Sequence, residues 1–172
     1  GNMLVYNADG EKILTAEATA KDKRYIGNGV PKHFLTWNNT IRWKDFDLSL
    51  MFQGAFGHKI FNMRKYGMGL QGSGSDNVLR SAYLEDSNVL TGGGVISSYF
   101  LEKGDYVKLS NLTLGYSVPL ANKKIAESLR IYVAAKNLFT LTGYSGNDPS
   151  IVTSTGITPG VDVNSAYPQA TQ

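Results

Sequence analysis

Two stretches of the chain alternate apolar and polar residues with a period of two and are joined by almost nothing. From Leu35 to Trp43 one parity reads Leu35, Trp37, Asn39, Ile41 and Trp43, and the other Thr36, Asn38, Thr40 and Arg42. Beyond Lys44-Asp45, one parity reads Phe46, Leu48, Leu50, Phe52, Gly54 and Phe56, and the other Asp47, Ser49, Met51, Gln53 and Ala55. Successive strand side chains point to opposite faces, so each stretch predicts a strand with one apolar and one mostly polar face. A two-residue connection between such strands predicts a hairpin.

A second pair lies further along. Tyr106 to Val118 carries Leu112, Leu114, Tyr116 and Val118 on one parity, and Val107, Leu109, Asn111, Thr113, Gly115 and Ser117 on the other. Pro119 ends it, because proline has no N–H to give a ladder. Leu129 to Thr140 sets Leu129, Ile131, Val133 and Ala135 against Arg130, Tyr132, Ala134 and Lys136. Residues 120–128 between them suit a short helical turn. Residues 57–105 and 141–172 read as long loops rich in Gly, Ser, Asn and Thr, far beyond the ~4–6 residues usual for connections in compact domains. A small hairpin is expected near the start, Met3 to Tyr6 and Lys12 to Ala16 around Ala8-Asp9-Gly10.

Strands of 9, 11, 13 and 12 residues, joined alternately by short turns and long loops, fit the plan of a transmembrane β-barrel. Such barrels have short periplasmic turns, long extracellular loops and strands of ~9–11 residues in an apolar band. Trp43 and Phe46 flank the first short turn and Tyr116 precedes the second, where aromatic rings favour the lipid–water interface. A soluble β-sandwich gives the same alternation, and the loop lengths favour the barrel over it. In a barrel, Arg42, Asp47, Gln53, Arg130 and Lys136 share the polar parity and face the lumen.

Composition narrows the chemistry. The 172 residues contain no cysteine, which excludes a disulfide scaffold, a thiolate metal site and a cysteine nucleophile. Seventeen Lys and Arg are interspersed with 14 Asp and Glu. The basic group Lys21, Lys23 and Arg24 is broken by Asp22, so no stripe suited to nucleic acid is formed. His33 and His58 have no companion at metal-ligand spacing. Asp45 and Asp47 read as turn and strand polar residues rather than a catalytic pair. Ser145 lacks the Gly-x-Ser-x-Gly frame, and Asp148 lacks the companion carboxylates of a Ca²⁺ loop. The glycines at 67, 69, 72 and 74 do not lead from a strand into a helix, so they make no phosphate cradle. No catalytic residue, metal or cofactor is expected, and the chain does not read as an enzyme.

Three ordered blocks carry a family resemblance. The first is Tyr25-Ile26-Gly27-Asn28-Gly29-Val30-Pro31, with Trp37-Asn38-Asn39-Thr40 and Phe46-Asp47-Leu48-Ser49 through Gln53-Gly54-Ala55-Phe56-Gly57. The second runs from Phe100-Leu101-Glu102-Lys103-Gly104-Asp105 through Leu114-Gly115-Tyr116, and the third from Leu129-Arg130-Ile131-Tyr132 through Asn137-Leu138-Phe139-Thr140 to Asp148-Pro149. Together they resemble the C-terminal region of SusC/RagA-type TonB-dependent transporters. The resemblance implies an all-β, antiparallel segment of a barrel of about 22 strands in the outer membrane of a Gram-negative, Bacteroidetes-type bacterium. It also implies a plug, a SusD-like surface lipoprotein, the TonB–ExbB–ExbD system as energy source, and glycans or peptides as solutes.

The chain departs from that pattern in ways that make it look like a fragment. It shows no plug, no TonB-contacting segment and no signal peptide, and it stops at Gln172 rather than in a strand with a terminal aromatic residue. Ser150 stands where the family commonly has an acidic residue. Four strands leave two open edges and close no barrel by themselves. The alternative from the residues alone is a soluble β-rich module whose Gly- and Tyr-rich loops bind carbohydrate or protein.

Overall fold

The structure is a computed structural model, and it describes residues 4–69, 79–80, 96–120, 128–150 and 159–162. The expected helical turn at 120–128 and the glycines 72, 74 and 92–94 lie wholly or largely outside these residues. A small hairpin opens the chain, with β1 (Leu4–Tyr6) antiparallel to β2 (Lys12–Leu14) and Gly10 at φ 88° in its turn. Arg24 donates to the carbonyl oxygens of Asn7 and Ala8, and Asp22 accepts from the Ala8 amide, so the basic loop clasps this hairpin.

The main sheet has four antiparallel strands: β3 (His33–Trp43), β4 (Phe46–Phe56), β7 (Tyr106–Val118) and β8 (Leu129–Thr142), in the order β3-β4-β7-β8. Lys44 takes a left-handed φ of 53° in the two-residue turn, and its ammonium lies 5.0 Å from the centroid of the Trp43 ring. The Ser117 amide donates to the Asp45 carbonyl at 2.7 Å and ties that turn to β7.

Register sorts the side chains into rows. One face carries Trp43–Phe46–Tyr116–Ile131, Ile41–Leu48–Leu114–Val133, Asn39–Leu50–Leu112–Ala135, Trp37–Phe52–Leu109–Phe139 and Leu35–Gly54–Val107–Leu141. Asn39 is the one strongly polar member. Much of this face is open: Trp37 is 51 % exposed, Ile41 52 % and Val133 72 %.

The rows correct the simple two-parity description of β7. Strict alternation sets Val107 and Leu109 opposite Leu112 and Leu114. In the structure Met51 pairs with Asn111 and Phe52 with Leu109, so Ser110 is an extra residue on β7. Such a bulge exchanges the faces of all residues on one side of it. Val107 and Leu109 thereby join the apolar face. The Ser110 hydroxyl is buried and donates to Gln53 Oε1 at 2.7 Å, which satisfies it. On β8 the compensating irregularity lies at Asn137, at φ 51°, so that Lys136 pairs with Asn111 and Phe139 with Leu109.

The region 57–105 is more than loop. It contains β5 (Lys59–Asn62), α1 (Met63–Met68) and β6 (Leu101–Lys103), and the tail contributes β9 (Val161–Asp162), which pairs parallel with β5. Sequence periodicity cannot register strands of two to four residues. The buried residues gather around this small sheet and the adjoining ends of β4 and β7: Phe100 is fully buried, with Ile60, His58, Asn62 and Tyr144 close behind, and Ala55, Leu109 and Ser110 on those two strands. Phe100 meets Phe61, Tyr66 and Tyr99 with ring centroids 5.1–6.1 Å apart. The dry core therefore lies at the long-loop end, and the four-stranded sheet has an open apolar face.

Candidate functional site

The polar face of the sheet gathers all five residues singled out from the sequence. Arg42 and Asp47 are register partners on β3 and β4, Gln53 pairs with Lys108 and Lys136 with Asn111. Arg130 is paired in register with Ser117, yet its side chain crosses β7 to reach Asp47. Nε donates to Oδ1 at 2.9 Å and Nη2 to Oδ2 at 2.5 Å, a two-pronged ion pair. The structure brings Asp47 and Arg130 into contact and leaves Lys136 several rows away. Thr40 and Ser49 hydroxyls lie 3.1 Å apart on the same face.

Gly115 makes the Asp47–Arg130 contact possible, and periodicity alone does not reveal it. It sits between the two partners, and a Cβ there would lie 2.4 Å from Arg130 Nη2 and 2.5 Å from Asp47 Oδ1. Gly115→Ala is expected to lift the guanidinium off β7 and abolish the coupling between Asp47 and Arg130. A double-mutant cycle with Asp47→Asn and Arg130→Gln, run with and without Gly115→Ala, reads that loss.

The long-loop end carries a second, denser polar cluster around Glu102. Its Oε1 accepts from the Asn62 amide at 3.2 Å and the Ser145 hydroxyl at 2.7 Å, and its Oε2 from the Ser145 backbone N–H at 2.8 Å. Asn62 also caps α1, its Oδ1 accepting from the Lys65 N–H at 2.8 Å. The Tyr144 hydroxyl donates to Asp162 at 2.6 Å; burial and that carboxylate push its ionisation well above the ordinary tyrosine range, so it stays a donor. The Asp148 carboxylate is held by Lys108 at 3.3 Å and by the Ser150 amide and hydroxyl at 2.8 and 2.6 Å. The Ser150 amide closes a turn on Asp148, and its hydroxyl adds a second donor that an ionised acidic side chain would lack.

His58 lies at the junction between β4 and this cluster, buried, with Nδ1 lacking a partner. Gly104 makes room for its ring: a Cβ there would lie 2.3 Å from Nε2. Burial pushes the imidazole pKa below its ordinary value, and Asp105 opposes this only in part. The folded state thus prefers the neutral ring. Stability contributed by the neutral ring is complete above the unfolded value of about 6.5 and declines as pH falls from there to below the lowered folded value. Amide exchange around residues 57–59 and 104 is expected to accelerate over that window, and His58→Gln is expected to remove the pH dependence.

At the opposite end, Phe46 stacks on Trp43 with centroids 6.5 Å apart and meets Tyr116 at a tilt with centroids 4.6 Å apart. An aromatic cluster beside the short turn and an open apolar face next to it match the girdle and band of a membrane barrel.

No family model matches the chain. It is 32 % identical over 157 residues, 87 % of its length, to TonB-dependent receptor P3 of Formosa agariphila, and 27 % identical over 138 residues to TonB-dependent receptor SusC of Bacteroides thetaiotaomicron. Among solved structures, the RagAB peptide importer in its closed-closed state superposes with a TM-score of 0.68 over 84 % of the chain at 26 % identity. The chain belongs to the SusC/RagA-type TonB-dependent receptors. It spans 15 % of the length of receptor P3, 13 % of SusC and 18 % of the superposed RagAB chain, so it corresponds to a segment of such a receptor. The structure of the RagAB peptide transporter superposes equally well, with a TM-score of 0.67 at 25 % identity. A receptor segment accounts for the unclosed sheet: β3 and β8 are its two edge strands, and edges of this length are tolerated in a membrane only when other strands pair with them.

Proposed function

We propose that this chain forms part of the wall and the outer loops of a TonB-dependent importer of nutrients in a bacterial outer membrane. The observation that carries the reading is the continuous apolar face, from the Trp43–Phe46–Tyr116–Ile131 row to the Leu35–Gly54–Val107–Leu141 row, open on a sheet whose other face is polar. Lipid satisfies the first face, and the water-filled or plugged lumen satisfies the second. On this reading Arg42, Asp47, Gln53, Arg130 and Lys136 line the interior, and the module around Phe100 and Glu102 stands on the outer surface. That surface is where a SusD-like lipoprotein docks and where glycans or peptides are first met.

Import consists of exposing a bound solute to one side and then the other, driven through TonB–ExbB–ExbD by the proton-motive force, with no covalent step. The soluble binding-module alternative needs Phe46, Leu48, Leu50 and Phe52 in a dry protein core, and the exposure of Phe46 itself and of the neighbouring Trp37, Ile41 and Val133 weighs against it. The test is uptake of labelled oligosaccharide and oligopeptide pools by cells carrying the full-length receptor. Uptake of one pool that stops on deleting TonB or adding a protonophore is the expected result. Uptake of neither pool, or uptake indifferent to both treatments, overturns it.

A further inference from the structure

The strongest unassigned feature is a cavity of about 430 Å³ at the long-loop end, lined by Asn62, Arg64, Lys65, Leu79, Arg80, Glu102 and Ser145. Its size falls in the ~300–1,000 Å³ range of small-molecule sites. Among the described residues three cations line it against one carboxylate, and that carboxylate is occupied. Both Glu102 oxygens accept from neutral donors, Asn62 and Ser145, and the Lys65 ammonium stands off at 4.0 Å. Arg64 donates through Nη1 to the neutral Asn147 Oδ1 at 2.8 Å and makes no ion pair among the described residues. Among the described residues Arg80 has no ion-pair partner. The described lining therefore carries a surplus of positive charge and two guanidinium groups whose planar N–H forks match an oxyanion. At its side, the Lys65 ammonium lies 4.3 Å from the centroid of the Tyr99 ring, which is 41 % exposed and offers an apolar surface next to the charge.

We propose that this cavity is a subsite for a carboxylate group on the carried solute, gripped by Arg64 and Arg80 with Lys65 in support. The proposal rests on the importer reading for its biological occupant, but the chemistry of the site stands on the residues themselves. The carboxylate can come from a uronic acid or from a peptide C-terminus, and both offer the same two oxygens.

The experiment uses the full-length receptor purified in detergent, without an energy source, and ligand-observed saturation-transfer NMR. The probes are glucuronate and N-acetyl-alanine, each beside its neutral counterpart, glucose and N-acetyl-alaninamide. At least one acid is expected to bind while its neutral counterpart gives no comparable signal, and the acid that binds identifies the source. Arg80→Ala and Arg64→Ala are each expected to weaken that binding roughly tenfold, the scale of one charge-assisted hydrogen bond. Arg80→Lys keeps the charge and is expected to retain part of it, which separates a lost contact from a collapsed loop. Acids that bind no better than their neutral counterparts, or an Arg64→Ala/Arg80→Ala variant that binds them as well as the parent, overturn the proposal. Because binding is read without energy coupling, loss of TonB-dependent uptake in cells with binding intact counts against the importer reading and leaves the subsite standing.

Discussion

Leu50→Arg is expected to destabilise the folded receptor by about 2–4 kcal/mol in a bilayer, the cost of an arginine on the lipid face of a barrel near the midplane. Leu50 is the fifth of the eleven residues of β4, in the middle row of the apolar face between Asn39 and Leu112. Lipid there offers no partner for a guanidinium, and the side chain is too central to reach either interface at no cost. Ser49→Arg, one residue away, puts the same charge beside Thr40 and Thr113 on the polar face. It is expected to leave stability nearly unchanged. Urea unfolding of the full-length receptor in lipid vesicles, followed by tryptophan fluorescence, reads both. Equal effects at the two positions contradict a sheet with one face in lipid.

Phe100→Ala is expected to cost about 3–5 kcal/mol, as for a large aromatic residue removed from a packed core. Phe100 is fully buried and is the ring that Phe61, Tyr66 and Tyr99 share. The loss is expected to fall on the small sheet β5, β6 and β9 rather than on the four-stranded wall, because the rings that Phe100 meets lie on β5, on α1 and just before β6. Limited proteolysis of the full-length receptor is expected to cut within residues 57–105 many times faster, while the wall strands stay protected. Cleavage spreading into β4 and β7 at the same rate means that wall and outer module unfold together.

The contrast between these two regions explains what the sequence reveals. The hairpin around Lys44-Asp45 is legible because its apolar and polar residues alternate along eleven residues of β4 and nearly as far along β3. The bulge at Ser110 is only half legible. Its mark is that Val107 and Leu109 sit on one parity and Leu112 and Leu114 on the other, a pattern that strict alternation divides between two faces. β5, β6 and β9 are illegible to periodicity, since strands of two to four residues give no repeat and their contacts come from distant parts of the chain.

The five polar-face residues are readable as a set from parity. The pairing of Asp47 with Arg130 is not, because it crosses a strand at Gly115 and depends on a missing side chain. The cluster at Glu102 joins Asn62, Lys65 and Ser145, residues up to 83 positions apart, and no local pattern announces it. The resemblance to SusC/RagA-type receptors supplies the family where periodicity supplies only the alternation.

The most direct test of the central claim is cysteine labelling along β4 in intact outer membranes. The 172 residues contain no cysteine, so each introduced thiol is the only one in this segment, and any cysteine elsewhere in the receptor is first replaced by serine. Single substitutions at 47, 48, 49, 50, 51, 52 and 53 are treated with a charged, membrane-impermeant maleimide under conditions that open the lumen. The account predicts alternation: labelling at Asp47, Ser49, Met51 and Gln53, and protection at Leu48, Leu50 and Phe52 until the lipid is replaced by detergent. Uniform labelling at all seven positions, or protection of the even positions that persists in detergent, contradicts a lipid-facing wall.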